Sequence, residues 1–355
     1  MKIVTLYNHK GGVSKTTTTF NLVHYLADNG AKVLVVDADP QCNMTELCLS
    51  QTIAKLDEQY SETGILQELP GTSLLDILRP RIDGNVAEID VEKIETIPVT
   101  SNIDIIRGNV ELNAIEDSIA EAHIQRFSTK THEKQTYVAI NDMLTRFGNK
   151  RNYDYIFIDV GPSSGALTRS CFLACDGFFI PVAPDRFNVQ AIQTLSKIIR
   201  RWLTEHSQIA QDFKTLGLPV ATGKPIFLGA IAQFFKLHSG KPKPAYQMWM
   251  NRIPSVVDEK LIPVLTELST NEIDLTGKIS KGKSIIAEIP DFGSLAPCMQ
   301  ECGKAVFQVT QADTASVDSN GRQWAGATWS DAAKRIAGYE KCFQKISERL
   351  KECLD

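Results

Sequence analysis

The segment Lys10-Gly11-Gly12-Val13-Ser14-Lys15-Thr16-Thr17 places two glycines, two lysines and three hydroxyl side chains within eight positions. It follows a short apolar run, Ile3 to Tyr7, so it reads as a turn between a strand and a helix. Such a turn aims successive backbone N–H groups at one point and sets a helix N-terminus behind them; both attract phosphate. Lys15 can then reach the outer phosphates of a nucleotide, and the Thr16 hydroxyl can hold Mg²⁺. Lys10 sits too close to its own turn to serve its own phosphates. Two copies of the loop facing each other would let it act in trans, as an arginine finger does.

Three carboxylates belong to the same chemistry. Asp37 and Asp39 follow the apolar run Lys32–Val36, and Asp159 follows Tyr155–Ile158. In a doubly wound sheet the carboxyl ends of the strands form the ligand crevice, where the Lys10–Thr17 turn also opens. Asp159 has the form of a carboxylate that fixes Mg²⁺ through its waters. Asp39 is placed to orient an attacking water or to touch the metal. Gly161-Pro162-Ser163-Ser164, just beyond, reads as a switch sensing a γ-phosphate. Each piece alone has a plainer reading: a turn, a helix cap, a solvated lysine. Their order and common sheet edge decide for Mg-nucleotide binding.

The elements that must position these residues read as an α/β fold: a doubly wound, mostly parallel twisted sheet flanked by helices. Strands are expected at Ile3–Tyr7, Lys32–Val36, Ile103–Ile106, Tyr155–Ile158, Gly177–Val182, within Pro225–Phe235, and at Ala305–Val309. A helix from about Thr16 to Asp28 stops at Asn29-Gly30. Ser73–Leu78 and Val110–Gln125 read as helices, with polar linkers such as Ser128–Lys134 between elements. The stretches 204–224 and 236–262 hold Gly, Pro and Lys and read as decoration of the sheet. In the tail, Ile336, Tyr339, Phe343, Ile346 and Leu350 mark one helical face over Asp331–Leu354. The whole reads as a single domain over 1–355, with elaborations at about 50–150 and 200–265.

Composition sets outer bounds. The chain has 355 residues, 43% hydrophobic and 23% charged, with a formal net charge of −4. The overall field therefore does not advertise nucleic acid, although a local basic face remains open. No apolar run approaches the ~20 residues of a membrane span. The N-terminus enters a strand directly, without a secretory pattern, and eight scattered cysteines suit a reducing cytoplasm. Cys171/Cys175 and Cys298/Cys302 lack the neighbouring ligands a metal site would need and read as free thiols.

The loop departs from the common P-loop, which has glycine where this chain has His9 and Ser14. It fits the deviant form Lys-Gly-Gly-x-x-Lys-Thr. With Val35-Val36-Asp37-Ala38-Asp39-Pro40-Gln41 and Tyr153–Asp159 followed by Gly161-Pro162-Ser163, it resembles the ParA family of deviant Walker A ATPases, the group that also holds MinD-like proteins and the nitrogenase iron protein. Pro181–Asp185, Ile289-Pro290 and Gly303–Phe307 resemble later family segments.

The resemblance implies an ATP-sandwich homodimer that hydrolyses ATP to ADP with Mg²⁺ and partitions plasmid or chromosomal DNA. Lys10 would cross to the partner's phosphates. Asp39 would position the water with Asp37 supporting it, and Gln233 and Pro290 would lie near the adenine. It also implies nonspecific DNA binding, a ParB-like partner that stimulates hydrolysis, and nucleoid association. Candidate DNA contacts are Lys197, Arg200 and Arg201 on one helix, and Lys236, Lys241, Lys243 and Arg252 in the insertion; a solvated face is the plainer reading of each. Relatives commonly carry a basic residue where this chain has Asp291. Two rivals remain: a positioning ATPase with a non-DNA cargo, and a redox protein bridging an Fe–S cluster, for which no cysteine pair matches. A membrane-associated version should end in a basic amphipathic helix, whereas this tail carries mixed charge, so no stable membrane association is expected.

Overall fold

A computed structural model describes residues 1–125, 131–238 and 241–355. The strands are β1 (Lys2–Leu6), β2 (Val33–Ala38), β3 (Ile97–Thr100), β4 (Ile103–Ile106), β5 (Tyr155–Val160), β6 (Gly177–Val182), β7 (Ile226–Phe235), β8 (Leu237–His238), β9 (Lys241–Pro242) and β10 (Ile285–Pro290). Eight of them form one sheet in the order β10-β7-β6-β1-β5-β2-β4-β3, while β8 and β9 make a separate small hairpin. All pairs in the large sheet are parallel except β3 with β4. The doubly wound sheet expected from the sequence is therefore present. Every residue of β2, β5 and β6 is buried, which is why these strands read as unbroken apolar runs.

The helices are α1 (Lys15–Asp28), α2 (Asn43–Cys48), α3 (Ser50–Thr63), α4 (Leu74–Ile82), α5 (Glu116–Ile124), α6 (Thr131–Arg151), α7 (Ala166–Ala174), α8 (Arg186–Thr215), α9 (Pro244–Met250), α10 (Ile253–Val256), α11 (Ile262–Leu268), α12 (Leu295–Cys302) and α13 (Gly326–Leu354). One face of the sheet is covered by α1, α12 and α13, where Phe20, Leu26, Met299, Phe343, Ile346 and Leu350 share a buried cluster. The other face carries α4 to α8 and the helices after β9, with Phe147, Phe172, Phe178, Trp202 and Phe227 at its centre. Tyr7 bridges into this second layer, its ring 5.2 Å from Phe172 and 5.3 Å from Trp202. The tail face predicted from spacing packs as expected: Tyr339, Phe343, Ile346 and Leu350 are buried, and Ile336 packs against the same cluster.

Several expectations need correction. Ala305–Val309 is not a strand. Val306–Gln308 forms one 3₁₀ turn, and Val306 N donates to the Asn21 side chain of α1 at 2.7 Å instead of to a ladder. The sheet edge is supplied instead by β10, whose Ile286 and Glu288 are not buried, so its pattern is weak. Edge strand β3 also went unrecognised; Pro98 and two exposed positions dilute its signal. Residues 204–215 continue α8 rather than forming a loop. The linker expected at Ser128–Lys134 falls partly outside the described residues, and from Thr131 the chain is helical. Within 50–150, α3 was missed because none of its residues is buried, leaving no apolar face to read.

Candidate active site

Between β5 and β6, β1 ends at Leu6 and the chain turns across the carboxyl edge of the sheet. Asn8 anchors this turn. Its Nδ2 donates to Pro181 O of β6 at 2.8 Å, and its Oδ1 accepts from Lys10 N at 3.0 Å. Gly12 and Ser14 both take left-handed backbone, with φ of 71° and 54°. At Gly12 a Cβ would meet nothing, so backbone conformation rather than crowding requires glycine there. Gln233 braces the loop from beneath: its Nε2 donates to Val13 O and its Oε1 accepts from Thr18 Oγ1.

Lys15 is buried at the start of α1. Its Nζ donates to Asn8 O at 3.2 Å and Lys10 O at 3.3 Å, two carbonyls of its own loop. Burial lowers its pKa, while the charges of Asp159 and Asp39 pull it back up. Thr16 and Thr17 are half-exposed beside it.

The register of β2 against β5 sets Asp37 directly opposite Asp159. Asp37 is fully engaged. Its Oδ2 accepts from Thr45 N at 2.8 Å and Thr45 Oγ1 at 2.7 Å, and its Oδ1 accepts from Asp39 N at 3.2 Å. It therefore ties the end of β2 to the first turn of α2. Burial still pushes its carboxyl up to about 6. Asp39 accepts from Gln41 N at 3.0 Å and packs against Gly161, where a Cβ would lie 2.9 Å from Asp39 Oδ1. Asp159 differs. It is buried, and neither of its carboxylate oxygens accepts a well-formed hydrogen bond. Burial and then the Asp37 charge push its carboxyl up to about 8, against the opposing pull of the Thr16 hydroxyl and Lys15. A buried carboxylate without partners is costly unless a cation completes it.

Above these groups opens a cleft of about 590 Å³. It is lined by the loop from Gly11 to Thr17, by Asp39, Gln41 and Pro162, by Asn43, Glu46 and Leu47 of α2, by Ser50, Ile53, Ala54 and Asp57 of α3, and by Gln300 and Glu301 of α12. Gln233 and Pro290, expected near a base, do not line it. Lys10 does not line it either; its Nζ lies 5.6 Å from the centre of the Phe187 ring, outside the cleft. The walls from α2, α3 and α12 escaped the sequence reading. Only the hydroxyl and amide residues after Asp39 carried a usable signal for them. Among the described residues no group of three or more His, Cys, Asp or Glu side chains forms a metal cage. The eight cysteines are free thiols.

The candidate basic contacts are scattered. Arg200 is paired with Glu267 at 2.7 Å. Lys197 and Arg201 stand exposed on α8. Lys236, Lys241 and Lys243 surround the β8–β9 hairpin, and Arg252 stacks over the Trp249 ring at 4.9 Å. No helix among the described residues is long and apolar enough to cross a membrane.

A mostly parallel sheet with a phosphate-type loop at its carboxyl edge and buried acids at the ends of β2 and β5 defines the P-loop NTPase class. A family profile described as an AAA domain matches residues 1–212. The chain belongs to that family, and it is similar to proteins named for sporulation control and chromosome partitioning. The sporulation initiation inhibitor protein Soj of Bacillus subtilis is 33% identical over 199 residues, covering 56% of this chain and 65% of Soj. The chromosome partitioning protein ParA of Caulobacter vibrioides is 27% identical over 210 residues, covering 57% of this chain and 63% of ParA. The match to these two relatives thus spans just under two thirds of their length. Among solved structures, the ATP complex of Cyanothece McdA(D38A) has a TM-score of 0.60 at 17% identity, covering 99% of this chain and 96% of that one. A putative plasmid partition protein from Borrelia burgdorferi bound to AMPPNP has a TM-score of 0.52 at 18% identity, covering 99% and 98%. Both share the fold.

Proposed function

We propose that this chain is a Mg-dependent ATPase that works as a slow switch: it pairs with a second copy when ATP is bound, and separates after hydrolysis to ADP and phosphate. The observation that carries this reading is Asp159, a buried carboxylate whose oxygens accept no well-formed hydrogen bond, set behind Lys15 and Thr16, which line the cleft. The residues fit Mg²⁺. Thr16 would ligate it, with Asp159 and Asp39 holding its waters, and when bound it neutralises phosphate charge.

The protein's own groups divide the remaining work. The N–H groups of Gly11 to Thr17 cradle the phosphates. Lys15 exchanges its two loop carbonyls for phosphate oxygens. Asp39, at the cleft wall, orients the water, and Asp37 holds Asp39 through the backbone bond at 3.2 Å. Lys10, pointing away from its own cleft, serves the partner's nucleotide. ATP rather than another nucleotide is supported by the fold-mates solved with ATP and AMPPNP.

Partition of DNA, with nonspecific DNA binding, a ParB-like stimulating partner and nucleoid association in the cytoplasm, is the cargo reading supported by the relatives Soj and ParA. The Arg200–Glu267 pair withdraws one basic residue of α8 from DNA, and Asp291 adds an acid at the end of β10. These favour a second reading, a positioning ATPase whose cargo is not DNA. Co-sedimentation with duplex DNA in ATP, ADP and no nucleotide, across a salt series, separates the two. ATP-dependent, salt-sensitive binding supports partition, and absence of binding in all three states supports the other cargo.

A further inference from the structure

The loop after Asp159 runs through Gly161, Pro162, Ser163 and Ser164 to Gly165, and Pro162 lines the nucleotide cleft. It ends at α7, whose N-cap is Gly165 and whose first turn contains no acidic residue. The helix therefore has no side-chain cap of its own. The cap comes from another element: Glu116, the first residue of α5, accepts from Ala166 N through Oε1 and from Leu167 N at 3.1 Å through Oε2. Two of the orphan donors of the first turn thus meet one carboxylate.

Gly165 is shaped around that carboxylate. Its φ of −74° suits any residue, yet a Cβ there would lie 2.2 Å from Glu116 Oε1. A side chain at this position would have to push the Glu116 carboxylate aside. A second contact between the same helices, His123 Nε2 with Ser170 Oγ at 2.9 Å, lies seven residues further along α5. Ile119 is buried between them in sequence. The loop itself is pinned inside this frame. Tyr7 Oη donates to Ser163 O at 3.3 Å, Ser163 Oγ meets Thr168 Oγ1 at 2.7 Å, and Gly161 backs onto Asp39.

We propose that Glu116 is a positioning residue for hydrolysis: by clamping the start of α7 it fixes the Gly161–Gly165 loop against Asp39 and the phosphate end of the cleft. The proposal rests on the ATPase reading above. Glu116 does not line the cleft, so its loss leaves nucleotide binding by the Gly11–Thr17 loop in place and slows the chemical step. Gly165→Ala, which displaces the carboxylate from the opposite side, has the same effect.

The test is single-turnover hydrolysis of ATP by full-length wild type, Glu116→Gln, Glu116→Asp, Gly165→Ala and the Gln/Ala double variant, with ATP affinity measured in parallel and folding checked by circular dichroism. Glu121→Gln, an exposed position on the same helix, is the control. Glu116→Gln and Gly165→Ala should each lower the hydrolysis rate at least about tenfold while ATP affinity stays within about threefold. The double variant should be no slower than the slower single, because both remove one contact. Glu116→Asp should recover part of the rate. Folded variants with wild-type rates, or a rate loss matched by an equal loss of affinity, overturn the proposal. Wild-type protein that binds no ATP overturns the nucleotide reading, and the proposal falls with it.

Discussion

Asp37, Asp39 and Asp159 share one layer of the carboxyl edge with a single buried ammonium, Lys15. Asp37 spends its oxygens on Thr45 and Asp39, while Asp159 spends none. Because burial raises the Asp159 carboxyl to about 8, the folded chain holds a proton there that the unfolded chain releases in the ordinary carboxylate range. Metal-free protein should therefore lose stability as pH rises from about 4 towards 8, in proportion to the extra proton held by the native state. Urea unfolding at pH 6 and pH 8 should show a fall on the order of 2 kcal/mol from this group, removed in Asp159→Asn. A slope unchanged by the substitution would take Asp159 out of the account. At the same scale, Lys15→Ala should abolish ATP binding, and retained tight affinity would refute its phosphate role. Asp39→Ala should leave ATP bound but slow hydrolysis on the order of 10²-fold or more, trapping the paired state; unchanged turnover would remove it.

Among the elements, those that carry the site were the most legible. The loop, α1, β2, β5 and β6 pair strong apolar runs with punctuation by glycine, aspartate and proline, and their bounds came within two residues of the structure. What escaped was amphipathic only weakly or not at all. The helix α3 buries none of its residues yet forms one wall of the cleft. Edge strand β10 alternates poorly because only one side of it is paired, and Val306 was misread because a buried valine can satisfy its N–H through Asn21 as well as through a ladder. Gln233, which the family resemblance places near the adenine, braces Val13 O and Thr18 Oγ1 from below the loop, a contact that spacing alone does not reveal. The tail helix α13 is a test of packing at this scale. Phe343 is fully buried against Phe307 at 5.9 Å, so Phe343→Ala should cost about 3–5 kcal/mol in equilibrium unfolding. A loss below about 1 kcal/mol would mean that α13 is dispensable to the core.

At the scale of the whole molecule, the proposed pairing turns on where Lys10 points. Lys10 leans over the exposed Phe187 ring rather than into its own cleft, a contact worth only about 0.5–1 kcal/mol at such a site. That is weak enough to be surrendered to a partner's phosphates. Lys10→Ala should keep ATP affinity but lose ATP-driven dimer formation in light scattering and lose hydrolysis. A variant that still dimerises with ATP would refute a trans role. If the cargo is DNA, affinity of the ATP form should fall steeply between low and physiological salt, and the charge-reversal pair Lys197→Glu and Arg201→Glu should weaken it on α8. Binding untouched by that pair would move the contact surface to the hairpin side.

The hold that Lys15 keeps on Asn8 O and Lys10 O falls on main chain, not on side chains. Truncating the Lys10 side chain therefore leaves both acceptors standing, whereas losing the Asn8 anchor to Pro181 O would let them drift and strand a buried ammonium.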